Sequence, residues 1–98
     1  MAPRSVAVIG ATERTGALGR DVFANLLAGG FKGPIYAVNP KYTSVQGRPC
    51  VPSIAALPQA VDLAVVVTPA RTVPSLVAEA GARGVPNVLV LSAGFAEV

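Results

Sequence analysis

The 98-residue sequence contains no histidine and a single cysteine, Cys50. Without histidine the chain has no Ser-His-Asp or Cys-His nucleophile, no imidazole metal ligand and no phosphohistidine chemistry. One cysteine excludes an internal disulfide and fits a reducing compartment. Cys50 lies between Pro49 and Val51 without a base partner, so we interpret it as a packed free thiol. We therefore predict no catalytic residue and no metal site.

Charged and aromatic residues are also scarce, at 13% and 5% of the chain, and the formal net charge is +3. The basic residues are scattered singly, whereas nucleic-acid binding needs a basic patch with interleaved aromatic residues. No apolar run approaches the length needed to cross a bilayer, and no signal-peptide core follows the first residues. We expect a cytoplasmic protein that binds a small anionic ligand, with neither nucleic acid nor membrane as a partner.

Apolar residues are abundant, at 52% of the chain, which is typical of strands buried on both faces. Short apolar runs place strands at residues 5–9, 34–38, 48–51, 62–68 and 87–91. Leu18, Val22 and Leu26 share one face of a helix after the first strand, and a pair of glycines ends it. Ser53 is a candidate cap for one helical turn, and Thr72 for a later helix.

The order of these elements predicts an α/β fold. Parallel strands joined by right-handed crossovers give a Rossmann-like parallel sheet of order 3-2-1-4-5, with helices on both faces. The third strand is short and lies at one edge. We predict one domain over residues 1–98 and interpret it as a fragment of a longer multidomain protein.

Ligands of such sheets bind beyond the carboxyl ends of the strands, where the strand order reverses. These ends are the segments Gly10–Gly16, Val38–Lys41, Thr68–Arg71 and Ser92–Phe95. All four carry glycine, proline, small hydroxyl or basic residues. We expect them to converge on one crevice, with Arg71 as an additional phosphate candidate.

The first of these segments resembles a dinucleotide fingerprint, but Gly10 and Gly16 are six residues apart. Backbone N–H groups and the start of the next helix favour a phosphate there. Thr12 and Thr15 add hydroxyl donors, and Arg14 adds a cation. The alternative is that the two glycines only allow a tight turn and close packing of helix on strand.

The end of the second strand argues against NAD, because an NAD site normally has an acidic residue there. This sequence has Asn39, Pro40 and Lys41 instead. Lys41 would attract a phosphate on the ribose, as in NADP or coenzyme A. The alternative is a solvated loop lysine.

The stretches VAVIGATERTGALGRDVFANLLAGGFKGPIYAVNPKY, VDLAVVVTPA and VLVLSAGFAE resemble the CoA-binding domain of NDP-forming acyl-CoA synthetases. A related domain occurs in the α subunit of succinyl-CoA synthetase, and the module is also fused to a GNAT domain in bacterial protein lysine acetyltransferases. The resemblance covers essentially the whole chain. Glu13 and Arg14 depart from it, since the succinyl-CoA synthetase loop has small residues there.

The resemblance implies coenzyme A as the ligand. It implies phosphate binding by Gly10–Gly16, the adenosine 3′-phosphate beside Val38–Lys41, pantetheine beside Thr68–Pro69 and the thiol end near Ser92–Gly94. The residues it implies are Gly10, Ala11, Thr12, Glu13, Arg14, Thr15, Gly16, Val38, Asn39, Pro40, Lys41, Thr68, Pro69, Ser92, Ala93 and Gly94.

Catalysis in the family uses a phosphorylated histidine of the next domain and a nucleotide-binding grasp module. We therefore expect this chain to bind CoA or acyl-CoA, to act with further domains of its parent chain, and to catalyse nothing alone. The resemblance implies that the parent is a ligase or an acetyltransferase. The alternatives are an NADP-binding domain of an oxidoreductase and a stand-alone CoA-binding regulatory module.

Overall fold

A computed structural model describes residues 4–91 of the chain. Short strands alternate with helices in the order β1 (Val6–Ile9), α1 (Leu18–Ala28), β2 (Ile35–Val38), β3 (Ser44–Val45), β4 (Arg48–Val51), β5 (Leu63–Val66), α2 (Val73–Ala82) and β6 (Asn87–Val90). Single 3₁₀ turns occupy Ile54–Ala56 and Ala70–Thr72. Among the helices of residues 4–91, none is long and apolar enough to cross a membrane.

The six strands form one sheet of order β3-β4-β2-β1-β5-β6. All neighbours are parallel except β3 and β4, which are antiparallel. The predicted α/β Rossmann-like class is confirmed, and the five predicted strands lie in the predicted order. The prediction of an entirely parallel sheet was wrong at one edge, where β3 adds a short hairpin. Its turn residues Gln46 and Gly47 both have positive φ, at 49° and 79°, as a two-residue hairpin turn requires.

Successive residues of β1 face opposite layers of the protein, because side chains alternate along a strand. Val6 and Val8 pack in a buried cluster with Phe23 of α1. Ala7 and Ile9 pack in a second cluster with Ala80 of α2. The two helices therefore cover opposite faces of the sheet, as predicted, and β1 lies between them.

Glycine lets α1 approach β1 very closely. A Cβ atom at Gly19 would overlap the carbonyl oxygen of Gly10, so no larger residue fits at this position without moving the helix. At its other end α1 stops at Gly29, and the following Gly30 has a φ of 77°. The predicted glycine termination of this helix is confirmed.

Thr72 and Ser53 do not cap helices through their side chains, so both cap predictions were wrong. Thr72 ends a 3₁₀ turn and already has helical backbone angles, so its hydroxyl cannot reach forward to α2. Thr72 Oγ1 instead lies 2.6 Å from Thr68 Oγ1 and 2.7 Å from the Pro69 carbonyl oxygen. The predicted helical turn after Ser53 is present as a 3₁₀ turn.

Candidate functional site

The candidate site lies at the carboxyl edge of the sheet, where β1 and β5 are neighbours and their helices leave to opposite faces. Three adjoining cavities open there, and Gly10, Thr68 and Pro69 line all of them. We call them the large cavity (about 600 Å³), the loop cavity (about 480 Å³) and the connecting cavity (about 250 Å³). Three of the four predicted strand ends therefore meet in one crevice, whereas 92–95 lies outside the described residues.

The β1–α1 loop (residues 10–17) starts at Gly10, a position where any larger residue would be strained and crowded. Gly10 has a φ of 99°, and a Cβ atom there would lie 3.0 Å from both the Thr68 methyl group and the Val67 carbonyl oxygen. Its amide donates to the Val38 carbonyl at 2.9 Å. Gly16 has a φ of 85° and open space around it. The conformation of the loop therefore depends on both predicted glycines.

The same loop leaves backbone donors at the start of α1. Ala17 precedes the helix without a side-chain cap, and the amides of Arg20 and Asp21 both donate to its carbonyl. Within residues 4–91 the amides of Leu18 and Gly19 donate to no backbone carbonyl. Both residues line the loop cavity. Free amides at a helix N-terminus are a site for anionic groups.

Side chains of the β1–α1 loop divide into those that line the crevice and those that do not. Thr12 and Arg14 line both the loop cavity and the connecting cavity. Ala11 is buried. Thr15 is exposed and lines none of the three cavities, and Glu13 accepts a hydrogen bond from the Gln46 amide at 2.9 Å. The geometry thus favours Thr12 and Arg14 over their neighbours as side-chain ligands.

At the end of β2, Asn39 ties two parts of the site together. Its Nδ2 donates to the Ala11 carbonyl at 2.9 Å, and its Oδ1 accepts from the Lys41 amide at 2.9 Å. Lys41 is exposed and lines both the large and the connecting cavity. Val38 and Pro40 line the large cavity. All four residues predicted from this segment therefore border the crevice.

The β5–α2 loop (residues 67–72) forms the opposite wall. Thr68 and Pro69 occupy its centre, whereas the exposed Arg71 lines none of the three cavities. Arg71 is therefore not favoured as a phosphate ligand. Ser92, Ala93 and Gly94 lie outside the described residues, so their predicted contact with the thiol end stays a prediction.

The crevice also contains residues that sequence reasoning missed. Tyr42 lines the connecting cavity beside Lys41, and Glu79 of α2 lines the far side of the large cavity. An apolar floor under the large cavity completes the lining, with Pro52, Ile54 and Leu76. The helical spacing of α2 indicates which residues face the core, but it does not indicate which of them border a ligand.

The charges around the crevice are mainly positive. Arg14 and Lys41 line it from the β1–α1 loop and from the end of β2, and Glu79 is the acidic residue of its lining. In residues 4–91 no group of three or more His, Cys, Asp or Glu side chains could hold a metal ion. Cys50 is buried, which confirms its interpretation as a packed thiol, and burial raises the pKa of that thiol.

Known proteins resemble this chain along almost its whole length. The profile of the CoA binding domain family matches residues 4–97. The acetate–CoA ligase (ADP-forming) I of Archaeoglobus fulgidus is 47% identical over 95 residues, which are 97% of this chain and 14% of that protein. The α subunit of acetate–CoA ligase (ADP-forming) I of Pyrococcus furiosus is 41% identical over 98% of this chain and 22% of its own length.

Among solved structures, the apo form of the dinucleotide forming acetyl-coenzyme A synthetase 1 of Ca. Korarchaeum cryptofilum superimposes with a TM-score of 0.89. It is 35% identical, and the match covers 97% of this chain and 21% of that one. The chain thus spans about a seventh to a fifth of the length of these proteins. Both the predicted family resemblance and coenzyme A as the ligand are confirmed.

Proposed function

This chain belongs to the CoA binding domain family, and we propose that it is the CoA-binding domain of an NDP-forming acyl-CoA synthetase. Coenzyme A lies in the crevice at the carboxyl edge of the sheet. Its diphosphate is bound by the β1–α1 loop, and its 3′-phosphate is bound by Lys41. The adenosine occupies the large cavity, and the pantetheine chain passes Thr68 and Pro69.

The observation that carries this assignment is the distribution of charge along the crevice. Lys41 stands at the end of β2, where a ligand with free ribose hydroxyls would call for a carboxylate. Arg14 stands at the neighbouring loop cavity together with the amides of Leu18 and Gly19, which donate to no backbone carbonyl of residues 4–91. Arg14 and Lys41 also share the connecting cavity, and two neighbouring positive positions fit a ligand with two phosphate groups. Coenzyme A carries a 5′-diphosphate and a 3′-phosphate on the same adenosine.

The relatives support a ligase as the parent protein. Two of them carry acetate–CoA ligase in their names, and this chain matches only a small part of each. The sequence itself has no histidine for a phosphoryl relay. We therefore propose that catalysis belongs to further domains or subunits. We also propose that the protein acts in the cytoplasm, a reducing compartment that fits its single cysteine.

Isothermal titration with CoA, 3′-dephospho-CoA and NADPH tests the ligand assignment. We expect CoA to bind more tightly than either of the others. Lys41→Ala removes the cation proposed for the 3′-phosphate, so it should weaken CoA binding about tenfold and 3′-dephospho-CoA binding much less. Lys32, the only other lysine, precedes the amino end of β2, whereas the crevice lies at the carboxyl ends of the strands. Lys32→Ala is therefore the matched control.

Equal losses for CoA and 3′-dephospho-CoA in Lys41→Ala would show that Lys41 does not bind the 3′-phosphate. Tighter binding of NADPH than of CoA would overturn the ligand assignment in this crevice. Assays of the parent protein for ADP-dependent release of acid from acyl-CoA address the ligase assignment separately. A parent that instead transfers acetyl groups to lysine would contradict it.

A further inference from the structure

The two hydroxyl groups of Thr12 and Tyr42 meet inside the proposed phosphate site. Thr12 Oγ1 lies 2.9 Å from the Tyr42 hydroxyl oxygen, thirty residues away along the chain. Thr12 Oγ1 also accepts a hydrogen bond from the Arg14 amide at 3.1 Å. Both residues are partly buried, and both line the connecting cavity. Thr12 additionally lines the loop cavity.

The hydrogen-bonding capacity of a hydroxyl group decides what Thr12 can offer a ligand. A threonine hydroxyl has one hydrogen to donate and two lone pairs to accept with. The Arg14 amide occupies one lone pair. A phenolic hydroxyl is a stronger hydrogen-bond donor than an aliphatic hydroxyl, so Tyr42 is the better donor of the two. If Tyr42 donates, both lone pairs of Thr12 are used and its hydrogen is left for the crevice.

We propose that Tyr42 is a positioning residue for coenzyme A binding, which acts by making the Thr12 hydroxyl an obligate donor to the CoA diphosphate. This inference rests on the proposed function and adds a selectivity device to it. A hydroxyl that can only donate favours a ligand group that can only accept. A diphosphate oxygen is such a group, whereas a ligand hydroxyl or amide at this point gains less.

The segment around Tyr42 is well placed to hold this geometry. Its amide donates to the Asn39 carbonyl at 3.3 Å, and its side chain packs against the buried cluster of the α1 face. Four residues further on, the Gln46 amide donates to Glu13, and Gln46 Nε2 donates to the Arg20 carbonyl at 3.1 Å. The β2–β4 connection therefore forms hydrogen bonds with the β1–α1 loop at both Thr12 and Glu13.

The same connection also holds Glu13, whose carboxylate is unfavourable next to a phosphate. The hydrogen bond from the Gln46 amide orients it toward the hairpin turn between β3 and β4. Glu13 lines none of the three cavities. Its contribution to the site is to anchor the loop, while Thr12 supplies the donor.

A double-mutant cycle on CoA affinity tests the proposal, with Thr12→Val, Tyr42→Phe and the double variant titrated against CoA. Thr12→Val should weaken binding about tenfold, and Tyr42→Phe about threefold. Because Tyr42 acts through Thr12, Tyr42→Phe should have no further effect in the Thr12→Val background. Thr12→Ser keeps the hydroxyl and should retain most of the affinity.

Two further measurements separate positioning from general structure. Adenosine 3′-phosphate lacks the diphosphate, so Tyr42→Phe should leave its affinity unchanged. Tyr36→Phe is the matched control, since the Tyr36 hydroxyl accepts from Gln59 and lines none of the three cavities. Thermal unfolding without ligand shows whether each variant is folded.

Additive losses of Thr12→Val and Tyr42→Phe would overturn the proposal, as would an equal loss for adenosine 3′-phosphate. Tyr42→Phe with unchanged CoA affinity would do the same while leaving CoA binding in the crevice intact. If the unaltered chain bound CoA with no loss in either Lys41→Ala or Thr12→Val, the placement of CoA in this crevice would itself fail.

Discussion

The β1–α1 loop and the β5–α2 loop leave neighbouring parallel strands at the same edge of the sheet, yet they satisfy their polar groups in opposite ways. In the β5–α2 loop, Thr72 bonds Thr68 and Pro69, and Ser75 donates to the Thr72 carbonyl. In the β1–α1 loop, the amides of Leu18 and Gly19 donate to no backbone carbonyl of residues 4–91. Besides the bond from the Arg14 amide to Thr12, the side chains of Thr12 and Glu13 are contacted by Tyr42 and Gln46 of another segment. One loop is closed on itself, and the other is open to a ligand.

The difference shows that topology alone does not make a binding site. Both loops lie at the position where ligands of parallel sheets bind. What distinguishes them is where their hydrogen-bonding groups find partners. The self-satisfied loop provides a rigid wall, and the open loop provides donors, so each can be altered separately.

The largest expected effect comes from the glycine contact that fixes the open loop to its helix. Gly19→Ala forces a Cβ into the Gly10 carbonyl and should cost about 3 kcal/mol of stability. For a domain of this size that is a fall in Tm of more than about 10 °C. Thermal unfolding followed by circular dichroism measures it.

Gly81→Ala is the matched control, because Gly81 lies in α2 with nothing within 4 Å of its added Cβ. It should stabilise the chain by up to about 1 kcal/mol through better helix propensity. Equal changes in Tm for the two variants would contradict the claim that close packing at Gly19 holds the open loop.

An intermediate effect is expected for the closed loop. Thr72→Val keeps the shape of the side chain but removes its hydrogen bonds to Thr68 and Pro69, at a cost of about 1 to 2 kcal/mol. CoA affinity should change less than in Thr12→Val. Denaturant unfolding and titration of the same samples give both numbers.

Thr43→Val serves as the control for this exchange, because the Thr43 side chain is exposed. Its stability should stay within about 0.5 kcal/mol of the unaltered chain. A Thr72→Val variant with intact stability and weakened CoA binding would reverse the roles given to the two loops.

The smallest expected effect concerns Cys50 in β4, the strand that pairs with β2. Cys50 Sγ lies 3.5 Å from the Asn39 carbonyl oxygen, and burial raises the pKa of its thiol above the ordinary 9.0. Because the folded state binds this proton more tightly, its stabilising contribution is complete below pH 9.0 and is lost as the pH rises through the folded pKa. Tm should therefore fall more steeply above that pH than in Cys50→Ala.

The comparison of the two pH profiles uses their slopes, since Cys50→Ala also removes packing at every pH. Parallel profiles from pH 8 to about pH 10.5 would mean that the thiol titrates as it does in the unfolded chain. The CoA affinity of Cys50→Ala gives a second readout, because Asn39 connects this strand to the β1–α1 loop.

Much of the fold follows from the sequence because its strands are short apolar runs with clear boundaries. Residues 63–66 lie inside the predicted strand 62–68, and Asn87–Val90 inside the predicted strand 87–91. The hairpin strand β3 was missed because it has only two residues, and its turn begins with Gln46 rather than the asparagine that usually marks such turns.

The site followed from the sequence where backbone geometry defines it, and less well where side chains from distant segments meet. Gly10 and Lys41 could be placed at the crevice from the sequence because strand ends of a parallel sheet converge, while their contacts with a ligand stay a prediction. Tyr42 could not, since its contact with Thr12 depends on how the β2–β4 connection folds back over the β1–α1 loop. Thr72 was misassigned because a preceding 3₁₀ turn moves the start of α2 past it.

The amide of Asn39 has a consequence for how such a domain could change ligands during evolution. An acid at this position is what NAD binding calls for, and one base change converts an asparagine codon into an aspartate codon. Yet the Asn39 side chain donates to the Ala11 carbonyl. Aspartate would set two oxygen atoms face to face there, so the acid that favours NAD would at the same time remove the contact that holds the β1–α1 loop to the end of β2.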